Sequence, residues 1–235
     1  MVYSRQINDQ EYTFGVSGKL IMNVLVMYDR QTKTLWSQLL GEAVEGPLKG
    51  TKLEYLPSWQ TTWAEWKALH PDTLALRKGY YGSRDPYFDY YDSSRSGVIG
   101  QSHRDDRLYV KEFVIGVALD DLAVAYPFSV LNEQPVINDA LGDTPLLVVF
   151  DEESVTGVVF DRRLGGQTLT FESAGEDTLR DQETGSLWNK LSGEALDGPL
   201  AGQHLNRVKS TSSFWFGWKD FYPHTRVYGV DEQQP

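Results

Sequence analysis

The sequence has no cysteine. Disulfides, thiol nucleophiles and thiolate metal sites are therefore excluded together, and the redox compartment is left open. It has four histidines, His70, His103, His204 and His224, with no HxH or HExxH spacing, so a histidine-rich zinc site is not expected. Basic residues are few: Lys and Arg total 22 against 33 Asp and Glu, a net charge of -11. A surface that acidic repels phosphate backbones, so no nucleic-acid partner is expected. No apolar run approaches the roughly 20 residues of a membrane helix. MVYSRQINDQEY at the N-terminus contains no apolar stretch of the signal-peptide kind. G-x-S-x-G, Walker A and G-x-G-x-x-G are absent. GVSGK (15–19) lacks the spacing and the following Ser/Thr of a phosphate loop, and Ser17 within it has no identifiable base. What is present is a 235-residue chain, 40% apolar and 23% charged, long enough to bury a core.

The dominant positive signal is internal repetition, the first thing to seek in a chain of this length. Residues 32–73 and 184–225 align without a gap at an offset of 152, and 18 of the 42 positions are identical. The identities include Trp36/Trp188, Gly41/Gly193, Glu42/Glu194, Gly46/Gly198, Trp63/Trp215, Trp66/Trp218 and Pro71/Pro223, and all seven tryptophans lie in these two windows. Upstream the offset becomes 157, pairing Tyr3 with Phe160, Arg5 with Arg162 and Phe14 with Phe171. The first copy therefore carries five extra residues between Phe14 and Asp29. About 50 residues of strand-like sequence precede Val159, whereas one methionine precedes Val2. Two readings follow: either the native polypeptide begins earlier, or a half-copy leans on the second copy. The first is favoured, because a strand set without half its partners exposes unpaired edges and invites self-association.

The local pattern predicts a β-rich chain. FVIGVAL (113–119) and LAVAYPF (122–128) alternate around Asp120-Asp121 as a hairpin, with Pro127 at a strand end. PLLVVF (145–150) reads as a central strand. Gly165-Gly166, and Asn8-Asp9 in the first copy, mark hairpin turns. Asp29 and Asp181 stand three residues before Thr32 and Thr184, where an Asp side chain bonds downstream amides and closes a tight turn. One helix per copy follows: Ser58 is the expected cap, Trp59, Trp63, Trp66 and Leu69 (or His70) the expected face, and Pro71 the stop. Phe214, Trp215, Trp218, Phe221 and Pro223 repeat the pattern, and the tryptophan stripes are expected in the core. The expected fold is mainly β, with α+β as the alternative. It comprises two tandem repeats, each a small twisted sheet or partial barrel plus one short aromatic-faced helix. The first repeat is assigned to 1–79, a tyrosine-rich connector to 80–107 and the second repeat to 108–235.

Several segments together resemble a prokaryotic family known as domain of unknown function 3179. They are TFGVSGKL, VMYDRQTKTLWSQLLGEAVEGPLKGTKL, TTWAEWKALHPDT, DPYFDYY, DRLYVKEFVIGV, AVAYP, VIND and WFGWKDFYPHT. The resemblance implies a two-copy architecture and members that are often longer at the N-terminus and exported, periplasmic or lipid-anchored. It also implies a Cys-Pro-Leu segment ahead of the first copy; the corresponding place in the second copy, FDEESVTG (150–157), has no cysteine. It brings no established reaction.

Candidate chemistry is sparse. Glu42 and Glu194 are repeat-related carboxylates, and facing each other they would suit acid/base work such as glycan hydrolysis. Duplication alone explains the pair, with each glutamate accepting turn amides. Asp151, Glu152 and Glu153 are oxygen ligands of the kind hard cations take, without EF-hand spacing, and a solvated loop is the competing reading. His103 in GQSHRDDR is a third catalytic candidate. Tyr80, Tyr81, Tyr87, Tyr90 and Tyr91 in the connector are candidates for stacking against a sugar or a protein. Arg5 and Arg162 read as structural ion-pair partners. The leading expectation is a non-catalytic binding or interaction module without a cofactor. The alternatives are a hydrolase using the glutamates and a metal or redox protein whose site lies in a longer N-terminal segment.

Overall fold

A computed structural model of the chain describes residues 1–56, 58, 60–77, 88–91 and 93–231. The chain opens with β1 (Val2–Tyr3) and the ribbon β2 (Gln6–Ile7)–β3 (Gln10–Glu11). An antiparallel meander follows: β4 (Phe14–Ile21), β5 (Val24–Asp29), β6 (Leu35–Ser37) and β7 (Glu42–Glu45). β8 (Tyr55–Leu56) pairs back onto β1, ahead of α1 (Trp63–Leu69) and α2 (Phe88–Tyr91). The middle of the chain forms β9 (Phe113–Leu119), β10 (Leu122–Pro127), α3 (Phe128–Glu133) and the sheet β11 (Val136–Leu141), β12 (Thr144–Asp151), β13 (Thr156–Asp161). The ribbon β14 (Arg163–Leu164)–β15 (Gln167–Thr168) leads into a second meander, β16 (Phe171–Ser173), β17 (Thr178–Asp181), β18 (Leu187–Asn189), β19 (Ala195–Asp197). β20 (Ser210–Phe214), α4 (Trp215–Phe221) and β21 (Arg226–Val227) come last. β20, β9, β10 and β21 make one sheet, antiparallel except where β21 runs parallel to β10. The protein is mainly β.

The turns follow from their residues. Asn8 and Asp9, like Gly165 and Gly166, all have positive φ, as a two-residue hairpin turn of the right-handed twist requires. Asp120 (φ 52) closes β9–β10, and Pro127 ends β10 and stands at the N-cap of α3. β12 is central, between β11 and β13. Its alternation sorts its side chains to two faces: Leu146, Val148 and Phe150 enter a cluster with Ile115, Val124 and Tyr126. Leu147 and Val149 enter another with Phe160, Phe171 and Trp188.

The repeated sequence makes repeated contacts. Trp36 Nε1 donates to Asp29 Oδ2 (3.0 Å), and Trp188 Nε1 to Asp181 Oδ2 (2.9 Å), all four residues being buried. Thr32 N and Thr184 N donate to the same carboxylates at 2.5 and 2.6 Å, so each Asp closes its turn and anchors its tryptophan. Phe14 lies edge-on to Trp36 and Phe171 to Trp188, each with centroids 5.7 Å apart. Gly46 and Gly198 are required as glycines: at φ +109 and +92, a Cβ would stand 2.8 and 2.7 Å from the Cα of Thr34 and Ser186.

Three expectations are corrected. The second copy holds two helices, α3 besides α4, and the connector holds α2; α3 forms where Leu131 can bury completely. The first-copy helix starts at Trp63, not at Ser58; Thr62 is the cap, its side chain accepting from Glu65 N, and Trp59 lies outside the described residues. The positions matching Ser58–Thr62 in the second copy are β20, a strand held by β9. Finally, only the second tryptophan stripe is core. Trp215 and Trp218 are buried, whereas no residue of α1 is fully buried and Trp63 is 53% exposed. α4 lies on β9, where a Cβ on Gly116 would meet the Trp218 ring at 2.3 Å. Among the described residues, no strand packs against α1 as extensively as β9 and β20 pack against α4. Arg162 donates to the carbonyl of Leu169 (2.8 Å), while Arg5 pairs with Glu11 on the surface (3.0 Å).

Candidate functional site: an aromatic cleft at the connector

An open cleft of about 770 Å³ lies where the first meander, the connector and the β9–β20–α4 unit meet. Its apolar wall is five rings: Tyr90 and Tyr91 of α2, Phe113 at the start of β9, Phe214 at the end of β20 and Phe216 of α4. Phe214 is the hub. Its ring centroid lies 4.5 Å from Phe113, 6.3 Å from Tyr90, 6.2 Å from Tyr91 and 5.9 Å from Phe216, the last nearly parallel at 18°. These separations are in the range where aromatic pairs attract.

The opposite wall is made by the five-residue insertion of the first copy. β4 and β5 run eight and six residues, against three and four for β16 and β17, so the first hairpin is longer and its tip, Met22–Asn23, reaches the cleft. Both tip residues have positive φ, 48 and 65. Asn23 then latches the connector: Val98 N and Ile99 N donate to its Oδ1 (2.8 and 2.9 Å), and its Nδ2 donates to Gly100 O (2.6 Å). Gly97 N donates to the Tyr90 hydroxyl at 2.9 Å. Beneath this ring the buried Lys111 amine lies 3.8 Å from the centroid and donates to Tyr90 O and Ser93 Oγ. Tyr90 is thus fixed by its hydroxyl, its face and its backbone. Arg95 lies over the same ring at 5.8 Å.

Of the predicted binding tyrosines, the structure brings Tyr90 and Tyr91 to this cleft; Tyr80, Tyr81 and Tyr87 lie outside the described residues. Glu42 begins β7 and bridges Lys52, and Glu194 precedes β19 and bridges His204, so they belong to two different meanders. Neither lines the cleft. Asp151 caps a turn, accepting from Ser154 N (2.8 Å) and Oγ (2.6 Å), and it pairs with Lys190. Burial pushes the Asp151 carboxyl up, but the Lys190 and Ser154 bonds outweigh it and hold it below the ordinary range. Glu152 and Glu153 are exposed, and no group of three metal-type ligands occurs among the described residues.

His103 has a partner the sequence did not reveal. Its Nδ1 lies 3.9 Å from the carboxylate of Asp220, whose side chain is fully buried. That carboxylate accepts from Ser102 N (2.9 Å) and His103 N (2.8 Å), so it fastens the connector to α4. Beside it, Lys219 is 1% exposed, and its Nζ has no hydrogen-bond partner among the described residues. Burial pushes this amine below the ordinary lysine range, against the attraction of Asp220, Asp105 and Asp106. Arg107 ties the connector down further, pairing with Asp105 and Asp231 at 2.7 Å each. Asn23, Lys111, Phe214 and Asp220 were all missed as site residues; the insertion at 14–29 was the available pointer to Asn23.

A model of the family described as a protein of unknown function (DUF3179) matches residues 1–225, and the chain belongs to that family. No curated protein matches the chain, and no solved structure matches it.

Proposed function

We propose that this member of the family is a binding module, and that its ligand site is the aromatic cleft rather than the repeat-related glutamates. One observation carries the reading: a concavity of about 770 Å³ is walled by five rings and edged by Asn23, Gln60, Ser212 and Ser213. A few polar groups converging on an apolar, aromatic concavity of roughly 300–1,000 Å³ is the usual form of a small-molecule site. The rings are supported from behind by Lys111 and latched by Asn23, which preorganises the wall and lowers the ordering cost of binding. The described lining residues include no histidine, aspartate or glutamate to serve as a base beside the Ser212 and Ser213 hydroxyls, which favours binding over acyl transfer. With the module goes the extracytoplasmic setting that the family resemblance suggests.

The test is ligand-observed NMR against a fragment library of aromatic, acyl and sugar compounds, with the wild type and Phe214→Ala. Fragments that bind the wild type and are lost with Phe214→Ala support the reading. Absence of such fragments overturns it. So does turnover on a hydrolase panel that Glu42→Gln or Glu194→Gln abolishes.

A further inference from the structure

The charges around the cleft narrow the ligand class. The chain carries a net charge of -11, yet the described cleft lining contains no carboxylate and one formal charge, Arg95. Arg95 is exposed and makes no ion pair or hydrogen bond among the described residues; its contact is with the face of Tyr90. The guanidinium therefore presents its donors at the rim of an apolar cleft, a geometry suited to a carboxylate. A cationic ligand is disfavoured. Aromatic faces attract cations, but Tyr90 already carries Lys111 at 3.8 Å and Arg95 at 5.8 Å from its centroid. A neutral sugar is disfavoured for a different reason. Its many hydroxyl donors call for strong acceptors, above all carboxylates, and the described lining offers amides and hydroxyls alone.

We propose that the cleft binds an amphiphilic anion, a small molecule with an apolar body and one carboxylate. The body lies against Phe214 and its neighbouring rings, and the carboxylate meets Arg95. This rests on the reading of the cleft as a ligand site.

The experiment measures the affinity of three probes that share one body: 2-naphthoate, 2-naphthalenemethanol and 2-naphthylmethylammonium. Each is titrated into the wild type, Arg95→Glu and Phe214→Ala by calorimetry or ligand-observed NMR. The wild type is expected to bind naphthoate about two- to fivefold more tightly than the alcohol or the cation, the scale of one rim ion pair. Arg95→Glu is expected to abolish that preference. Phe214→Ala is expected to weaken all three. If the alcohol or cation binds as tightly as naphthoate, or Arg95→Glu leaves naphthoate unaffected, the anion assignment is overturned and the binding site stands. If no probe binds, the anion assignment again falls, and the binding reading falls with it when the fragment library also yields nothing sensitive to Phe214→Ala. Arg95 is exposed, so its variant is expected to fold; an unchanged circular dichroism spectrum verifies this.

Discussion

Replacing Asn23 with glycine should unlatch the connector from the first hairpin without unfolding the protein. Three hydrogen bonds are lost, from Val98 N and Ile99 N and to Gly100 O, at 2.8, 2.9 and 2.6 Å. Bonds of this kind each contribute about 0.5–1.5 kcal/mol net. Val98, Ile99 and Gly100 are exposed, so the freed groups find water and the sum belongs near the low end, about 2 kcal/mol. Glycine accepts the φ of 65 at this position without strain, so the variant isolates the bonds; Asn23→Ala adds about 1 kcal/mol of left-handed backbone cost. The assay is amide hydrogen exchange by NMR. At about 1.4 kcal/mol per decade, the protection of the Val98 and Ile99 amides should fall roughly 30-fold, while the amides of β12 keep theirs. The cleft wall should loosen with them, weakening naphthoate binding. Protection of Val98 and Ile99 within about twofold of the wild type would refute the latch.

Gly116→Val should destabilise by about 1–3 kcal/mol or more, because the added Cβ collides with the buried Trp218 ring at 2.3 Å; urea denaturation measures it. Trp215→Ala should cost about 3–5 kcal/mol, and Trp63→Ala, at the matching repeat position but 53% exposed, less than about 1 kcal/mol; similar losses would contradict the burial difference between the two helices. At Asp29 and Asp181, burial raises the carboxyl, but bonds from Thr32 and Trp36, and from Trp188 and Thr184, outweigh it and hold each pKa below its ordinary value. A folded value below the unfolded one means their stabilisation is complete above about pH 4–5 and is lost as the pH falls through the folded values. Asp181→Asn should therefore cost about 1.5–3 kcal/mol at neutral pH and flatten the acid limb of a stability profile, and an unchanged profile would count against the assignment.

Much of the local architecture was legible in residue order, because it depends on neighbours in the chain. Gly165-Gly166 and Asn8-Asp9 announce hairpins through the positive φ they tolerate. Asp29 and Asp181 announce turns through a side chain that reaches three residues along. PLLVVF (145–150) announces a strand covered on both faces, and β12 is one. The helix at 63–69 was displaced from its expected start because Ser58 and Thr62 are both acceptable caps, and only the surroundings choose between them. Of the candidate site residues, Tyr90 and Tyr91 reached a cleft, whereas Glu42 and Glu194 stayed in separate meanders.

Repetition, β-rich patterning, the absence of thiol chemistry and the acidic surface are properties of the amino-acid sequence alone. They follow from composition and from interactions a few residues long. Which tryptophan stripe is buried was decided by tertiary structure. Trp63 and Trp215 are the same residue in aligned positions, and only the second has β9 beneath its helix. The cleft is likewise tertiary. Asn23 meets residues 98–100 and Phe214 meets Tyr90 across more than 70 positions of chain, so no local pattern encodes the contact. The insertion between Phe14 and Asp29 links the two levels. Its length could be counted in the sequence, but folding alone directed the longer hairpin toward the connector tyrosines.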